Sequence, residues 1–246
     1  MVLELIIGAT VLVSLISLVG VALFPLGKEK VNRILFFLIS FSTGTLLGAA
    51  FFDLLPEAVE TGAGMVFVAA FAGLLVSFAM EKIIHWHHHH AGSEKEHTHP
   101  LGTLTLWGDG IHNFFDGVAI AAAFMMNVPL GITTTVAIAL HEIPQEIGDF
   151  GLLLYSGYSR TKALLFNFLS ALTAIAGGVL FYFFSGMVSN MEGYALAFTA
   201  GMFIYISCAD IIPEMHKEKG AKKSMLQLIL VLLGAALIFV IATALE

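Results

Sequence analysis

Cysteine occurs once in this sequence, at Cys208. A single thiol excludes an intrachain disulfide framework and any metal site built on several thiolates, so Cys208 reads as a small packed residue. Charge is also scarce. Asp, Glu, Lys and Arg supply 12% of the 246 residues, against 58% hydrophobic, about half the charged share of a soluble domain. Positive charge is scarcer than negative, 11 Lys and Arg against 18 Asp and Glu for a net charge of −7, and nucleic-acid binding is not expected of such a chain. No basic residue precedes the first apolar run, which begins at Val2. That run therefore does not read as a cleaved signal, and the first helix is expected to be retained.

What the sequence does have is apolar length. Mean hydropathy is +0.92, and runs of about 20 apolar residues, enough to cross about 30 Å of hydrocarbon as helix, recur throughout. The pattern predicts an all-α, polytopic membrane protein with one transmembrane domain over residues 1–246. Eight spans are expected, at about 2–26, 34–57, 63–85, 101–126, 130–156, 161–187, 193–213 and 224–245. Lys28, Lys30 and Arg33 lie between spans 1 and 2, Lys82 and Lys95 around the break between 3 and 4, Arg160 and Lys162 between 5 and 6, and Lys217, Lys219, Lys222 and Lys223 between 7 and 8. These are all 11 basic residues. The positive-inside rule then puts those loops in the cytoplasm and both termini outside.

Span 2 contains FSTGTLLGAAFFDLLPE, Phe41 to Glu57, and span 7 contains FTAGMFIYISCADIIPE, Phe198 to Glu214. Phe41/Phe198, Gly44/Gly201, Asp53/Asp210, Pro56/Pro213 and Glu57/Glu214 match at a constant offset of 157. The two spans are expected to run in opposite directions. Spans 1–3 and 6–8 thus read as an inverted repeat around spans 4 and 5, an arrangement common in transporters.

Spans 4 and 5 carry the ionisable residues. On a helix of about 100° per residue, with His112 at the origin, Asp116 falls near 40°, Asp109 near 60° and Asn113 near 100°. With His141 at the origin of span 5, Gln145 falls near 40°, Asp149 near 80°, Glu142 near 100° and Glu146 near 140°. Each helix has one polar face, and the short turn around Asn127 to Pro129 lets the two meet. Five acids at helix centres cost on the order of 10 kcal/mol if uncompensated, yet every Lys and Arg lies at the expected cytoplasmic ends. Protonation, water or a bound cation must compensate. Imidazole beside carboxylate and amide oxygens suits Zn²⁺, and also Fe²⁺, Mn²⁺ or Cd²⁺. Pro144 is expected to loosen span 5 beside this site.

The segments HNFFDG (His112 to Gly117) and HEIPQEIGD (His141 to Asp149) resemble the two signature segments of the ZIP family of divalent-metal transporters. The eight spans, the external termini, the His-bearing loop after span 3 and the LLPE end of span 2 agree with it. The resemblance implies a binuclear metal site at the matching positions His112, Asn113, Asp116, His141, Glu142 and Gln145. It implies metal moving into the cytosol by sliding of helices 1, 4, 5 and 6 against the rest, often as a homodimer. Two positions depart from it: Gln145 stands where many members carry His or Glu, and Ala174 where some carry Glu. The second metal position is then expected to be weaker, or to rely on Glu146 or Asn167. Zn²⁺ is expected as cargo, with no organic cofactor, and the cell membrane as the location.

The stretch at 86–100 carries His87, His88, His89, His90, His97 and His99, just after His85. His-rich tracts bind metal, so this cytoplasmic loop is expected to receive released ions. Asp53 and Glu57 are expected near the outer mouth, and Asp210, Glu214 and His216 near the inner one. Met65, Met80, Met125, Met126 and Met202 read as filler or lipid-facing residues. A competing reading is an intramembrane zinc protease, since HEIPQ begins like H-E-x-x-H with Glu142 as base. It lacks the second histidine, which Gln145 replaces, so no catalytic residue is expected.

Overall fold

The computed structural model describes residues 1–23, 28–90 and 98–245, and among these no strand occurs. Helices α1 (Val2–Ile16) and α2 (Val19–Leu23) take up the first apolar run. Helix α3 (Lys28–Ala49) passes through a π-helical segment (Ala50–Leu54) into α4 (Leu55–Glu60). Then come three long helices, α5 (Val66–His90), α6 (Thr98–Met126) and α7 (Val128–Tyr155). The pair α8 (Arg160–Ala171) and α9 (Thr173–Phe184) is divided at Leu172. Helix α10 (Met191–Tyr205) passes through a second π-helical segment (Ile206–Ile211) into α11 (Ile212–Met215), and α12 (Ala221–Leu245) follows.

Five stretches of the described residues are long and apolar enough to cross a bilayer: Val2–Val21, Arg33–Glu60, Arg160–Met187, Met191–Met215 and Ala221–Ala244. Helices α6 and α7 have 29 and 28 residues, ample length at about 1.5 Å per residue, but their polar groups dilute the apolar run. Two expected boundaries move. Helix α5 is helical at least as far as His90 and α6 is helical from Thr98 on, past the expected limits at 85 and 101. Of the His-rich stretch, residues 91–97 lie outside the described residues.

The π-helical segments have a common cause. Each precedes a proline, Pro56 or Pro213, which donates no N–H and whose ring displaces the carbonyl four residues back. The helix widens to accommodate it: Leu55 N–H bonds Ala50 C=O, and Ile212 N–H bonds Ser207 C=O, each five residues back. Helix α7, by contrast, runs unbroken through Pro144.

Close backbone approaches occur at matching positions. A Cβ on Gly44 would lie 2.0 Å from the Val231 carbonyl oxygen, and one on Gly234 2.2 Å from that of Phe41, so α3 and α12 touch backbone to backbone. On the other side, a Cβ on Gly201 would lie 1.8 Å from the Ala70 oxygen and one on Gly73 1.9 Å from that of Phe198, which joins α10 to α5 in the same way. Small residues permit such contacts, which in a membrane substitute for the hydrophobic drive between helices. Helices α6 and α7 pack together at the centre, with α9 and α10 against α6 and α3 against α7.

Candidate metal site

Helix α6 turns directly into α7 at Asn127, whose backbone is extended and whose side chain accepts a bond from Leu130 N–H at 2.8 Å. This N-cap, followed by Pro129 in the first turn, starts α7 immediately. The polar faces of the two helices consequently meet inside the bundle.

There, His112, Asp116, His141 and Glu142 are all buried, and each offers one ligand atom within 4.8 Å of the others. His112 Nε2 and His141 Nε2 are 3.2 Å apart. His112 Nε2 lies 3.6 Å from Asp116 Oδ2 and 3.4 Å from Glu142 Oε1. His141 Nε2 lies 3.4 Å from each of those oxygens. A tetrahedron with metal–ligand bonds of about 2.0–2.1 Å has edges of about 3.3–3.4 Å, and these five separations fall close around that value. His141 Nδ1 is 3.3 Å from the Ala137 carbonyl, which engages the Nδ1 proton and leaves the Nε2 lone pair for the cluster.

The oxygens behave as the cluster requires. Asp116 Oδ2, Glu142 Oε1 and Glu142 Oε2 are buried without hydrogen-bond partners. Leaving each such acceptor unsatisfied costs about 1–3 kcal/mol, and more where it is charged. No Lys or Arg is among the buried described residues. An N₂O₂ set of this kind fits a divalent cation of borderline softness.

The other expected ligands are placed differently. Asn113 Nδ2 donates to Asp109 Oδ1 at 2.8 Å, and Asn113 Oδ1 is buried without a partner. Gln145 Nε2 reaches the same Asp109 oxygen at 3.5 Å. Glu146, fully buried, accepts from Asn167 Nδ2, while Glu146 Oε1 and Asn167 Oδ1 have no partner. Glu146 is thus not one of the four clustered residues, and Asn113 and Gln145 turn their NH₂ ends to Asp109.

A cavity of about 480 Å³ runs from His112 and His141 past Asp109, Gln145 and Asp149 to Glu81 and Glu214. Glu214 is about half exposed, where it pairs with Lys217, so the cavity reaches the protein surface at that end. Tyr205 donates to Glu81 on its wall. Met80 and Met202, which read as filler, also line it. Sequence reasoning gave Ser170 no role, yet its hydroxyl donates to Asp109 Oδ2 at 2.5 Å. The available signal was the spacing of Asn167 and Ser170, three residues apart on one helical face.

The ZIP Zinc transporter family model matches residues 2–105 and 88–242. Zinc transporter ZIP10 of Danio rerio is 45% identical over 115 residues, 47% of this chain and 14% of that protein. IAA-alanine resistance protein 1 of Arabidopsis thaliana is 46% identical over 140 residues, 54% of this chain and 29% of that protein. Zinc transporter ZIP13 of Pongo abelii is 34% identical over 218 residues, 80% of this chain and 63% of that protein. The chain therefore spans between about a seventh and just under two thirds of the length of these relatives.

Proposed function

Since the chain belongs to the ZIP zinc transporter family, we propose that it moves divalent transition-metal ions, Zn²⁺ foremost, across a cell membrane into the cytosol. The observation that carries this reading is the buried set His112, Asp116, His141 and Glu142, whose ligand atoms lie within 4.8 Å of one another with five separations close to the edge of a tetrahedron. Zn²⁺ accepts four N/O ligands in that geometry, whereas Mn²⁺ favours more oxygen ligands. Cd²⁺ and Fe²⁺ are secondary candidates as cargo. The unpartnered oxygens of Asn113, Glu142, Glu146 and Asn167 support a second, oxygen-rich station beside the first, with Gln145 at its edge. Both stations would be filled in passing by the transported ion, without an organic cofactor.

The proposal includes eight spans, with α5, α6 and α7 crossing beside the five apolar stretches, and an inverted repeat. Support for the repeat comes from the two π-helical segments at offset-related positions and from the paired glycine contacts. Ser14 Oγ also donates to Ala171 C=O at 2.7 Å, a contact between residues 157 apart in sequence, as expected where a pseudo-two-fold axis passes between equivalent positions. Positive-inside orientation places the termini outside. The cavity mouth at Glu214 then faces the cytosol, and the His-rich stretch at 86–100 lies on that side to receive metal. Assembly as a homodimer belongs to the same proposal, and crosslinking in native membranes tests it.

Proteolysis is disfavoured because Glu142 sits inside the ligand cluster and Gln145, at the place of the second histidine, is turned toward Asp109, so neither a free base nor the second zinc ligand of the H-E-x-x-H pattern is assembled. Reconstituted protein should carry Zn²⁺ down its gradient into liposomes, and Asp116→Ala and His141→Ala should each abolish that flux. Undiminished flux in both variants would remove the site from the mechanism.

A further inference from the structure

The amide side chains of Asn113 and Gln145 have two opposite ends, an oxygen that can ligate a cation and an NH₂ group that repels one. Which end faces the ion path must be set by a neighbour, and here that neighbour is Asp109. Asn113 Nδ2 donates to Asp109 Oδ1 at 2.8 Å and to the Asp109 carbonyl at 3.2 Å. Gln145 Nε2 approaches the same Oδ1 at 3.5 Å. Ser170, from α8, closes the other oxygen at 2.5 Å. In its ionised form Asp109 accepts and does not donate, and turning either amide over would then set oxygen against oxygen.

Asp109 differs in this from the acids of the tetrahedral set. Asp116 and Glu142 keep buried oxygens with no hydrogen-bond partner, and their polar neighbours are the imidazole Nε2 atoms at 3.4–3.6 Å. Both oxygens of Asp109 already accept hydrogen bonds. It is also absent from the four-residue cluster, although it lies one turn from His112 on α6 and lines the cavity. Asn113 shows the result of its grip: the carbonyl oxygen Oδ1 is left buried and unpartnered.

We propose that Asp109 is a positioning residue of the ion path. It takes up the NH₂ ends of Asn113 and Gln145, so that their oxygens are offered to the passing cation, and Ser170 holds Asp109 in place. This rests on the transport reading above and adds a residue that is not itself a ligand.

The full chain in detergent and in liposomes tests it, with Zn²⁺ binding, Co²⁺ absorption and Zn²⁺ flux as readouts. Asp109→Asn replaces an acceptor-only group by one with its own NH₂, and Asn113 loses its preferred orientation. Zn²⁺ binding beyond the tetrahedral site, and flux, should fall about 10–100-fold, the usual effect of losing an outer hydrogen-bond partner of a metal ligand. The Co²⁺ spectrum of the His112/Asp116/His141/Glu142 site should not change. In Asp109→Asn/Asn113→Asp, the NH₂ donor sits at 109 and the carboxylate at 113 presents an oxygen whichever way it turns. That exchange should restore both quantities to within about threefold of the parent. Asp109→Glu, which keeps an acceptor-only head, should lose less than Asp109→Asn and carries the test if the double variant does not fold. Parent-like behaviour of Asp109→Asn would overturn the proposal. So would a folded double variant no better than the single one, or a Co²⁺ spectrum altered by Asp109→Asn. A parent protein that neither binds nor moves Zn²⁺ would instead sink the transport reading itself.

Discussion

Removing His141 is the most direct challenge to the four-residue set, because His141 Nε2 takes part in three of its five near-equal separations, at 3.2, 3.4 and 3.4 Å. Four-ligand zinc sites bind with roughly 10–16 kcal/mol. An equal share per ligand is about 2.5–4 kcal/mol, or a factor of about 10² to 10³ in Kd. Water can enter the vacated vertex, so His141→Ala should lie near the lower end, about 100-fold weaker. Part of the loss will be structural, since the buried ring also packs edge-on against Phe203 with centroids 5.5 Å apart. His141→Gln separates the two effects: it fills much of the space and keeps an uncharged ligand oxygen, and should lose less affinity. Competition with a chromophoric chelator in detergent measures Kd, and Co²⁺ absorption reports whether four-coordinate geometry survives. Should His141→Ala keep parent affinity and an unchanged Co²⁺ spectrum, the five near-equal distances would have no bearing on metal binding.

Alanine at Gly201 or Gly44 would put a Cβ 1.8 or 2.0 Å from a carbonyl oxygen, so each should cost about 1–3 kcal/mol by overpacking and lower Tm in detergent. Gly8→Ala, with nothing within 4 Å of the new Cβ, should leave Tm unchanged or raise it. Asn127→Ala removes the cap of α7 and the bond from Asn127 Nδ2 to Glu57 Oε1 at 3.1 Å, with an expected loss of about 1 kcal/mol or more. Asn127→Asp keeps the cap but sets a carboxylate against Glu57, so a Tm equal to the parent's would show that the Glu57 contact contributes nothing. Zn²⁺ at about 100 times Kd should stabilise the folded chain by about 2.7 kcal/mol. A thermal scan should show that gain in the parent and not in Asp116→Ala/His141→Ala.

Much of this was legible in the sequence because membrane helices declare themselves by length and apolarity, and because two polar faces joined by a short turn can only meet. His112, Asp116, His141 and Glu142 were all named from spacing and resemblance, and the structure brings these four together. The helical wheel could not divide the polar faces further. Asp109 and Asp116 fall within about 20° of each other on it, yet one is held by Ser170 and Asn113 while the other faces two imidazoles. The difference lies along the helix axis and in what α8 contributes, and neither appears in a projection of one helix. The π-helical segments had a visible trigger in Pro56 and Pro213, but Pro144 carries the same trigger without that outcome. Proline alone therefore does not decide whether a helix widens, and the surrounding packing must share in it.

Charge accounting explains why the site takes this form. Buried Asp109, Asp116, Glu142 and Glu146 meet two buried histidines and no buried Lys or Arg among the described residues. A fixed lysine here would lower the cost of burial, but it would also hold the carboxylates permanently and compete with any cation entering the path. Amide groups and hydroxyls avoid that competition. Asn113, Gln145 and Ser170 engage Asp109, and Asn167 engages one oxygen of Glu146, without adding net positive charge. The acids not engaged in this way, Asp116 and Glu142, are those facing the imidazoles. A chain that must bind a cation briefly and then release it needs this balance, with enough neutral donors to keep the fold intact and enough unpaired oxygen to draw the ion in.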